Sequence, residues 1–217
     1  MNQITVECLH STPLHISSHA IRECHNSHTK SDTAEHNGHS SVECGPKDAA
    51  LIHRIGCKLH HESTLEHVNF SYSIQGISVA VLGQLTRHRL ASYTVQSTRY
   101  TTKQYLSEGS LTNVSDVCVQ TGNSTIDDIN RVAITDLVDL VASSVISNDE
   151  LRYALPQAWR TNLTMTINLR SLRNLIQLRT TPHTMAEFQH LAQLLLDATP
   201  EEYHYLLTDC VYQSSQA

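Results

Sequence analysis

The run Arg87-His88-Arg89-Leu90-Ala91-Ser92-Tyr93-Thr94-Val95-Gln96-Ser97-Thr98-Arg99-Tyr100 gathers three Arg, one His, two Ser and two Tyr directly after an apolar segment. Guanidinium groups carry planar paired donors that match carboxylate and phosphate oxygens, so a run of this kind is suited to holding small anions. If the segment from Ile77 is helical through His88, then Gln84, Arg87 and His88 stand at i, i+3 and i+4 and project from one face. A plainer reading makes Gln84 an ordinary surface residue and Arg87 and Arg89 a solvated helix end, where positive charge suits the dipole. Taken alone, the run supports both readings about equally.

The elements that must position these residues follow from periodicity. Residues 2–9 alternate, with Ile4, Val6 and Cys8 on one face, and predict a strand. Thr12 as N-cap and Pro13 at the first helical position open a helix with Ile16, Ala20, Ile21 and Cys24 at helical spacing. Residues 26–47, rich in Ser, Asn, Asp, His and Gly, read as a long exposed loop. Asp48 then caps a helix reaching Leu59. Val68, Phe70, Tyr72 and Ile74 alternate as a half-buried strand. Glu108 to Ser124 reads as irregular. Ile126 to Ile146 predicts a helix with a core stripe of Ile129, Val132, Ala133, Leu137, Leu140, Val141 and Val145. Asn148 or Asp149 caps a short helix carrying Arg152, and Pro156 stops it. Leu163, Met165 and Ile167 form another strand, followed by helices over 169–180, 182–196 and 200–210.

Composition narrows the chemistry. The 217 residues can bury about 70 % of the unfolded surface, so no covalent staple is needed. Fifteen Lys and Arg against twenty-one Asp and Glu give −6, which argues against a nucleic-acid polymer binder relying on a broad basic surface. The six Cys form no CxxC pair and read as reduced thiols of a cytosolic protein. The start MNQITVECLH has no signal-peptide pattern and no run approaches a bilayer span, so the expectation is a soluble protein without a membrane partner. Eleven of the fifteen His lie between His10 and His67. Pairing Cys24 with His28, or His36 with His39, would suggest zinc, but the spacings match no known finger. A polar loop is the preferred account, and no metal ligand is assigned.

The order RHR, Ser92, then Ser97-Thr98-Arg99-Tyr100 resembles the signature of flavin-dependent thymidylate synthases. Further matches extend it across residues 47 to 210. His61-Glu62-Ser63-Thr64-Leu65-Glu66-His67 is similar to the family's His-x-[Ser/Thr]-x-x-Glu-His segment, and Arg152-Tyr153-Ala154-Leu155-Pro156 to its Arg-x-x-Leu-Pro. Asn168-Leu169-Arg170-Ser171-Leu172-Arg173-Asn174, continued through Arg179 and His183, resembles its Asn-x-Arg-Ser-Leu-x-Asn block.

The resemblance implies an α+β fold, an antiparallel sheet packed with helices, in one domain over 1–217. It implies a homotetramer with active sites built between subunits, which would give the Arg170, Arg173 and Asn174 face a neighbour to serve. The implied reaction is reductive methylation of dUMP to dTMP, with methylenetetrahydrofolate as carbon donor and NADPH as reductant through FAD, in the cytoplasm of a cell or of a virus-infected host. A Cys nucleophile is not needed, and no Cys sits in a matched motif. Gln84, Arg87, Ser97, Arg99, Arg152 and Arg179 would bind dUMP, with Arg179, Arg87 and Ser97 at the chemistry. Ser97 is a binder rather than a nucleophile, since no neighbour in its motif serves as base. FAD would be held by His61, Ser63, Glu66, Arg87, His88, Arg89, Leu90, Asn168, Arg170, Asn174 and His183. For Glu66 and Asn168 a purely structural role weighs equally. The alternative is a non-catalytic protein that grips nucleotide phosphate or zinc.

Two positions leave the family pattern. Thr94-Val95 stands where many members have Asn-Glu, which removes a carboxylate near the nucleotide, so Val95 receives no side-chain role. Cys24 stands for Ser in Ala20-Ile21-Arg22-Glu23-Cys24, which leaves a flavin contact from Cys24 or Ser27 open.

Overall fold

The computed structural model describes residues 4–33, 43–107, 113–143 and 145–213. Strand β1 (Thr5–Ser11) leads to helix α1 (His15–Glu23), a 3-10 turn at His28–Lys30, and α2 (Pro46–Ile52), which runs on as a π-helical turn over His53–Lys58. The 3-10 turn Glu62–Leu65 precedes β2 (Asn69–Ser78), α3 (Val79–Leu85), β3 (Ala91–Val95) and α4 (Thr98–Leu106). After the turn Val114–Asp116 come α5 (Ser124–Ser143), α6 (Asn148–Leu151), β4 (Arg160–Asn168), α7 (Leu169–Arg179) and α8 (Ala186–Ala198), then 3-10 turns at Glu201–Leu206 and Thr208–Cys210.

The strands make a four-stranded antiparallel sheet in the order β1-β2-β4-β3, so the α+β class is as expected. The chain gathers into two compact units. One comprises Met1–Thr5, Ile74–Arg87 and Tyr93–Thr164; the other comprises Val6–Ser73, His88–Ser92 and Met165–Ala217.

In the first unit, Leu106, Val117, Cys118, Ile134, Leu137, Leu151 and Trp159 form the core. Gly76 sits within β2 at φ 79, a conformation that costs other residues. Its N–H donates to Asn162 Oδ1 at 2.9 Å, and Gln96 N–H pairs with Asn162 O at 2.8 Å, which fixes the register of β3 and β4.

In the second unit the predicted alternation holds: Val68 just before β2, Phe70 and Tyr72 on β2, and Met165 and Ile167 on β4, are all buried. The Phe70 ring meets Tyr203 edge-on with centroids 4.9 Å apart, and the hydroxyls of Tyr72 and Thr199 pair at 2.7 Å. Helices α7 and α8 pack against each other in the same unit and bury Leu172, Leu175, Ile176, Leu191 and Leu195.

Several boundaries differ from the sequence reading, each for a local reason. Helix α1 begins at His15, not Thr12-Pro13, because Thr12 N–H is taken by Asn69 O at 2.8 Å as the strand pairing continues. Asp48 does not cap α2. The loop residue Asp32 does, accepting from Lys47 N–H at 2.7 Å and Asp48 N–H at 3.0 Å. The Asp48 side chain is instead buried against Arg22, whose Nε donates to it at 2.7 Å. Ser147, not Asn148 or Asp149, caps α6 through a capping box with Glu150. Residues 181–184 form a turn, so α8 starts only at Ala186.

The expected α5 stripe is largely the wrong face. Asn130, Ile134 and Leu137 are buried, while Ile129 is 60 % and Val132 51 % exposed. This helix is apolar on more than one side, so periodicity alone cannot choose which side covers the core. The 26–47 stretch holds the His28–Lys30 turn and the start of α2. Its residues 34–42, with His36 and His39, lie outside the described residues.

Candidate functional site

In the first unit, α3 ends at Leu85 rather than reaching His88. Thr86 takes Leu82 O with both its backbone N–H, at 3.0 Å, and its hydroxyl, at 3.1 Å, and Arg87 N–H folds back on Gln84 O at 3.2 Å. Gln84, Arg87 and His88 are therefore not one helical face: Arg87 is exposed in the turn after the helix. The sequence reading also missed β3, which carries Ser92 to Val95 into the sheet. Tyr93 donates to Leu85 O at 3.0 Å, and burial pushes its phenol up to about 12.

Ser97 is the N-cap residue of α4 but its hydroxyl caps no backbone N–H. The helix start thus keeps the Ser hydroxyl clear of its own first-turn N–H groups, an arrangement that favours an anion. Arg99 lies in the first turn, and its Nε approaches Asp149 Oδ1 at 3.2 Å. Arg152 Nη1 lies 3.7 Å from the same oxygen. One carboxylate therefore holds two of the predicted phosphate-binding guanidinium groups. Asn148 ties α6 to α4 by donating to Arg99 O at 2.7 Å and accepting from Lys103 N–H at 3.1 Å. Sequence reasoning gave Asn148 and Asp149 only capping roles; the visible signal was the acid three residues before Arg152.

In the second unit, the turn bearing His61 and Ser63 is set by close packing. A Cβ on Gly56 would lie 2.6 Å from Leu65 Cδ2, so only Gly lets the π-helical turn approach. His61 N–H is fixed to Ile55 O at 3.0 Å, and Ser17 Oγ holds Thr64 O at 2.9 Å. His61, Ser63 and Glu66 remain exposed. Asn168 serves as the N-cap of α7, accepting Ser171 N–H at 2.8 Å. Arg170 donates to Glu62 at 3.0 Å and to Glu66 at 2.5 Å. Asn174, one turn on, is exposed on the same face of α7. Arg173 is not on offer to a neighbour, since it is spent within the chain on Leu206 O and on Asp209 Oδ1 at 2.8 Å.

His88, Arg179 and Phe188 form a second cluster in this unit. Arg179 Nε donates to His88 Nε2 at 3.1 Å, and its guanidinium carbon lies 4.6 Å from the Phe188 ring centre. The His88 ring meets Phe188 edge-on at 6.2 Å. Burial, reinforced by the charge of Arg179, brings the imidazole down to about 4. His88 is therefore neutral near pH 7, with Nε2 as the acceptor. Arg89, Leu90 and His183 are exposed.

The family model described as thymidylate synthase complementing protein matches residues 8–203. The chain belongs to the flavin-dependent thymidylate synthase family. It is 38 % identical over 214 residues to the flavin-dependent thymidylate synthase of Helicobacter pylori strain J99, covering 95 % of this chain and 98 % of the relative. It is 40 % identical over 216 residues to that of Campylobacter jejuni strain RM1221, covering 97 % and 98 %. A crystal structure of thymidylate synthase X from Helicobacter pylori with FAD and dUMP superposes with a TM-score of 0.86 at 38 % identity, covering 97 % of this chain and all of that one.

Membership in the flavin-dependent thymidylate synthase family favours the enzymatic reading over a non-catalytic binder. Of the residues that the motifs assigned to nucleotide, Gln84, Arg87, Ser97, Arg99 and Arg152 lie in the first unit; Arg179 lies in the second. All of the residues assigned to flavin except Arg87 lie in the second.

Proposed function

We propose that the chain methylates dUMP reductively to dTMP, with methylenetetrahydrofolate as carbon donor, NADPH as reductant and FAD as cofactor. The observation that carries this reading is the Arg99–Asp149–Arg152 clamp beside the start of α4, in a chain matching the family over residues 8–203.

Phosphate recognition falls to Ser97, Arg99, Arg152 and the N–H groups of the first turn of α4. Asp149 holds both guanidinium groups in place before substrate arrives, so less side-chain freedom is lost on binding. Gln84 and Arg87 complete the nucleotide contacts. Arg179, oriented by neutral His88, supplies positive charge to the uracil oxygens and so stabilises negative charge that develops on the ring. The donor set of the second unit fits FAD: exposed cations at Arg89 and Arg170 suit a diphosphate, and His61, Asn174 and His183 suit ring systems. His88, Leu90, Ser63 and Glu66 are assigned to the same cofactor, and Asn168 contributes by capping the helix that carries Arg170 and Asn174.

FAD, when bound, relays a hydride from NADPH. C5 of the uracil loses a proton and bonds to the methylene carbon, whose two bonds to the folate nitrogens break; those nitrogens take up two protons, one offset by the C5 proton and one from solvent, and the hydride completes the methyl group. The folate is released as tetrahydrofolate. No thiol is required, and those of Cys44 and Cys118 are pushed by burial to about 11 and that of Cys210 to about 12, leaving them protonated and weakly nucleophilic.

A homotetramer with active sites built between subunits is part of the proposal. The bare apolar face of α5, with Ile126, Ile129, Val132 and Leu140 exposed, supports association, because such a face favours burial. A cytoplasmic location is part of the same proposal; among the described residues no helix is long and apolar enough to cross a membrane. Release of tritium from ring-labelled dUMP, dependent on FAD, NADPH and the folate together, tests the reaction. Release without flavin contradicts it.

A further inference from the structure

The His-rich N-terminal region takes no part in the proposed reaction, and the structure brings three of its side chains together. His19 and Glu23 stand at i and i+4 on α1, and so share one face. The chain then reverses through Asn26, in the left-handed region at φ 45. Ser27 N–H returns to Arg22 O at 3.0 Å and Arg22 Nη1 donates to Ser27 O at 3.2 Å, so the reversal is fixed at both ends. His28 is thereby laid against the last turn of α1. Its Nε2 lies 2.7 Å from Glu23 Oε2, and its ring centre is 4.6 Å from that of His19.

One ligand atom from each of His19, Glu23 and His28 falls within 4.8 Å of the others. Zinc bonds of about 2.0–2.1 Å place tetrahedral ligand atoms about 3.3 Å apart, a closure that side-chain rotation at this surface can supply. His15, one turn earlier on the same helix, lines a hollow of about 310 Å³ with His19 and His28. Its Nδ1 is buried and has no hydrogen-bond partner among the described residues.

We propose that His19, Glu23 and His28 bind a divalent transition-metal ion of the zinc class, which clips the Cys24–Lys30 reversal to α1. Two imidazoles, which are borderline donors, together with one carboxylate suit zinc, and the imidazoles select against calcium and magnesium, which prefer all-oxygen sites. The pairings suggested by spacing were different ones. Cys24 turns its thiol to Ala20 O at 3.5 Å instead of joining His28. Beneath the site the same helix is anchored through the buried Arg22–Asp48 pair, so the metal would fasten a loop to an element already fixed in the core.

The test is zinc binding to the metal-stripped, FAD-loaded full chain, by equilibrium dialysis and by thermal shift, with calcium as control. The expected result is one equivalent of zinc bound at low micromolar free metal, a rise in Tm with zinc and none with calcium. His19→Ala, Glu23→Gln and His28→Ala should each weaken zinc binding at least about tenfold while FAD content is unchanged, and a His36→Ala/His39→Ala double variant should keep full binding. Cobalt in place of zinc should give visible bands that the His28→Ala variant lacks. Failure to bind an equivalent, binding indifferent to the three substitutions, or loss in the His36/His39 variant instead overturns the proposal. None of these readouts depends on turnover, so the outcome is separate from that of the proposed reaction.

Discussion

Arg179 donates through Nε to Nε2 of His88 at 3.1 Å, with both side chains against the Phe188 ring. The bond needs Nε2 unprotonated. Burial and the Arg179 charge hold the folded imidazole at about 4, below its ordinary 6.5. A base depressed in this way contributes fully to stability above about pH 6.5, and the contribution is lost as pH falls from there towards about 4. NMR titration should show the His88 ring signals moving with a midpoint near 4. A midpoint near 6.5 would mean that the ring is neither buried nor held against Arg179.

The same pair predicts a catalytic phenotype. Replacing His88 by Ala leaves the Arg179 charge present but without the acceptor that orients it. Misplacing a positioning group by about 1 Å can cost about 100-fold in rate, so kcat should fall by up to that factor. The His88→Asn variant, which can still accept a hydrogen bond, should recover part of the loss.

Asp149 should matter more for affinity than for stability. Its pairs with Arg99 and Arg152 are about half exposed, and exposed pairs are worth about 0–1 kcal/mol. Asp149→Ala should therefore leave Tm nearly unchanged while raising the KM for dUMP several-fold. Arg99→Ala and Arg152→Ala remove charged hydrogen bonds worth about 1.5–3 kcal/mol, and should weaken dUMP binding about 10- to 100-fold with FAD retained. Loss of both ligands together would place these residues in the fold or the assembly.

Asp48 should matter for stability. Burial would raise its carboxyl, but hydrogen bonds from Ser31, Thr33 and Arg22, with the Arg22 charge, outweigh that and bring it below its usual 3.8. The pair therefore stabilises the fold above that range and is lost as pH falls through the depressed value. Asp48→Asn leaves Arg22 buried without its counter-charge, a change that typically costs about 3–5 kcal/mol. Urea unfolding measures it.

Gly56 links packing to the flavin-facing turn. A Cβ there would sit 2.6 Å from Leu65 Cδ2, and overpacking of this kind costs about 1–3 kcal/mol. Gly56→Ala should lower Tm and also weaken FAD retention, because Leu65 lies in the turn that carries Ser63. A lower Tm with undiminished FAD affinity would separate that turn from flavin binding.

The strands were legible where one face is buried: Phe70 and Tyr72, or Met165 and Ile167, alternate because the pleat leaves them no other option. Helix ends were not, since they depend on distant partners. Asp32 reaches across the loop to cap α2, and Asn69 claims the Thr12 N–H that would have opened α1. The motif residues Ser97, Arg99 and Arg152 could be read from their spacing. Their support was only partly so: the acid three residues before Arg152 pointed to that pair alone, because the reach of Asp149 to Arg99 depends on α4 and α6 lying side by side, and His88 gave no sign that it would orient Arg179.

On the proposed function, methyl transfer draws its reducing equivalents from flavin. Quantifying both products of turnover on dUMP, methylenetetrahydrofolate and NADPH tests it most directly. Turnover should give dTMP and tetrahydrofolate in equal amounts, only when FAD is bound. Equal dTMP and dihydrofolate, formed without FAD, would contradict it.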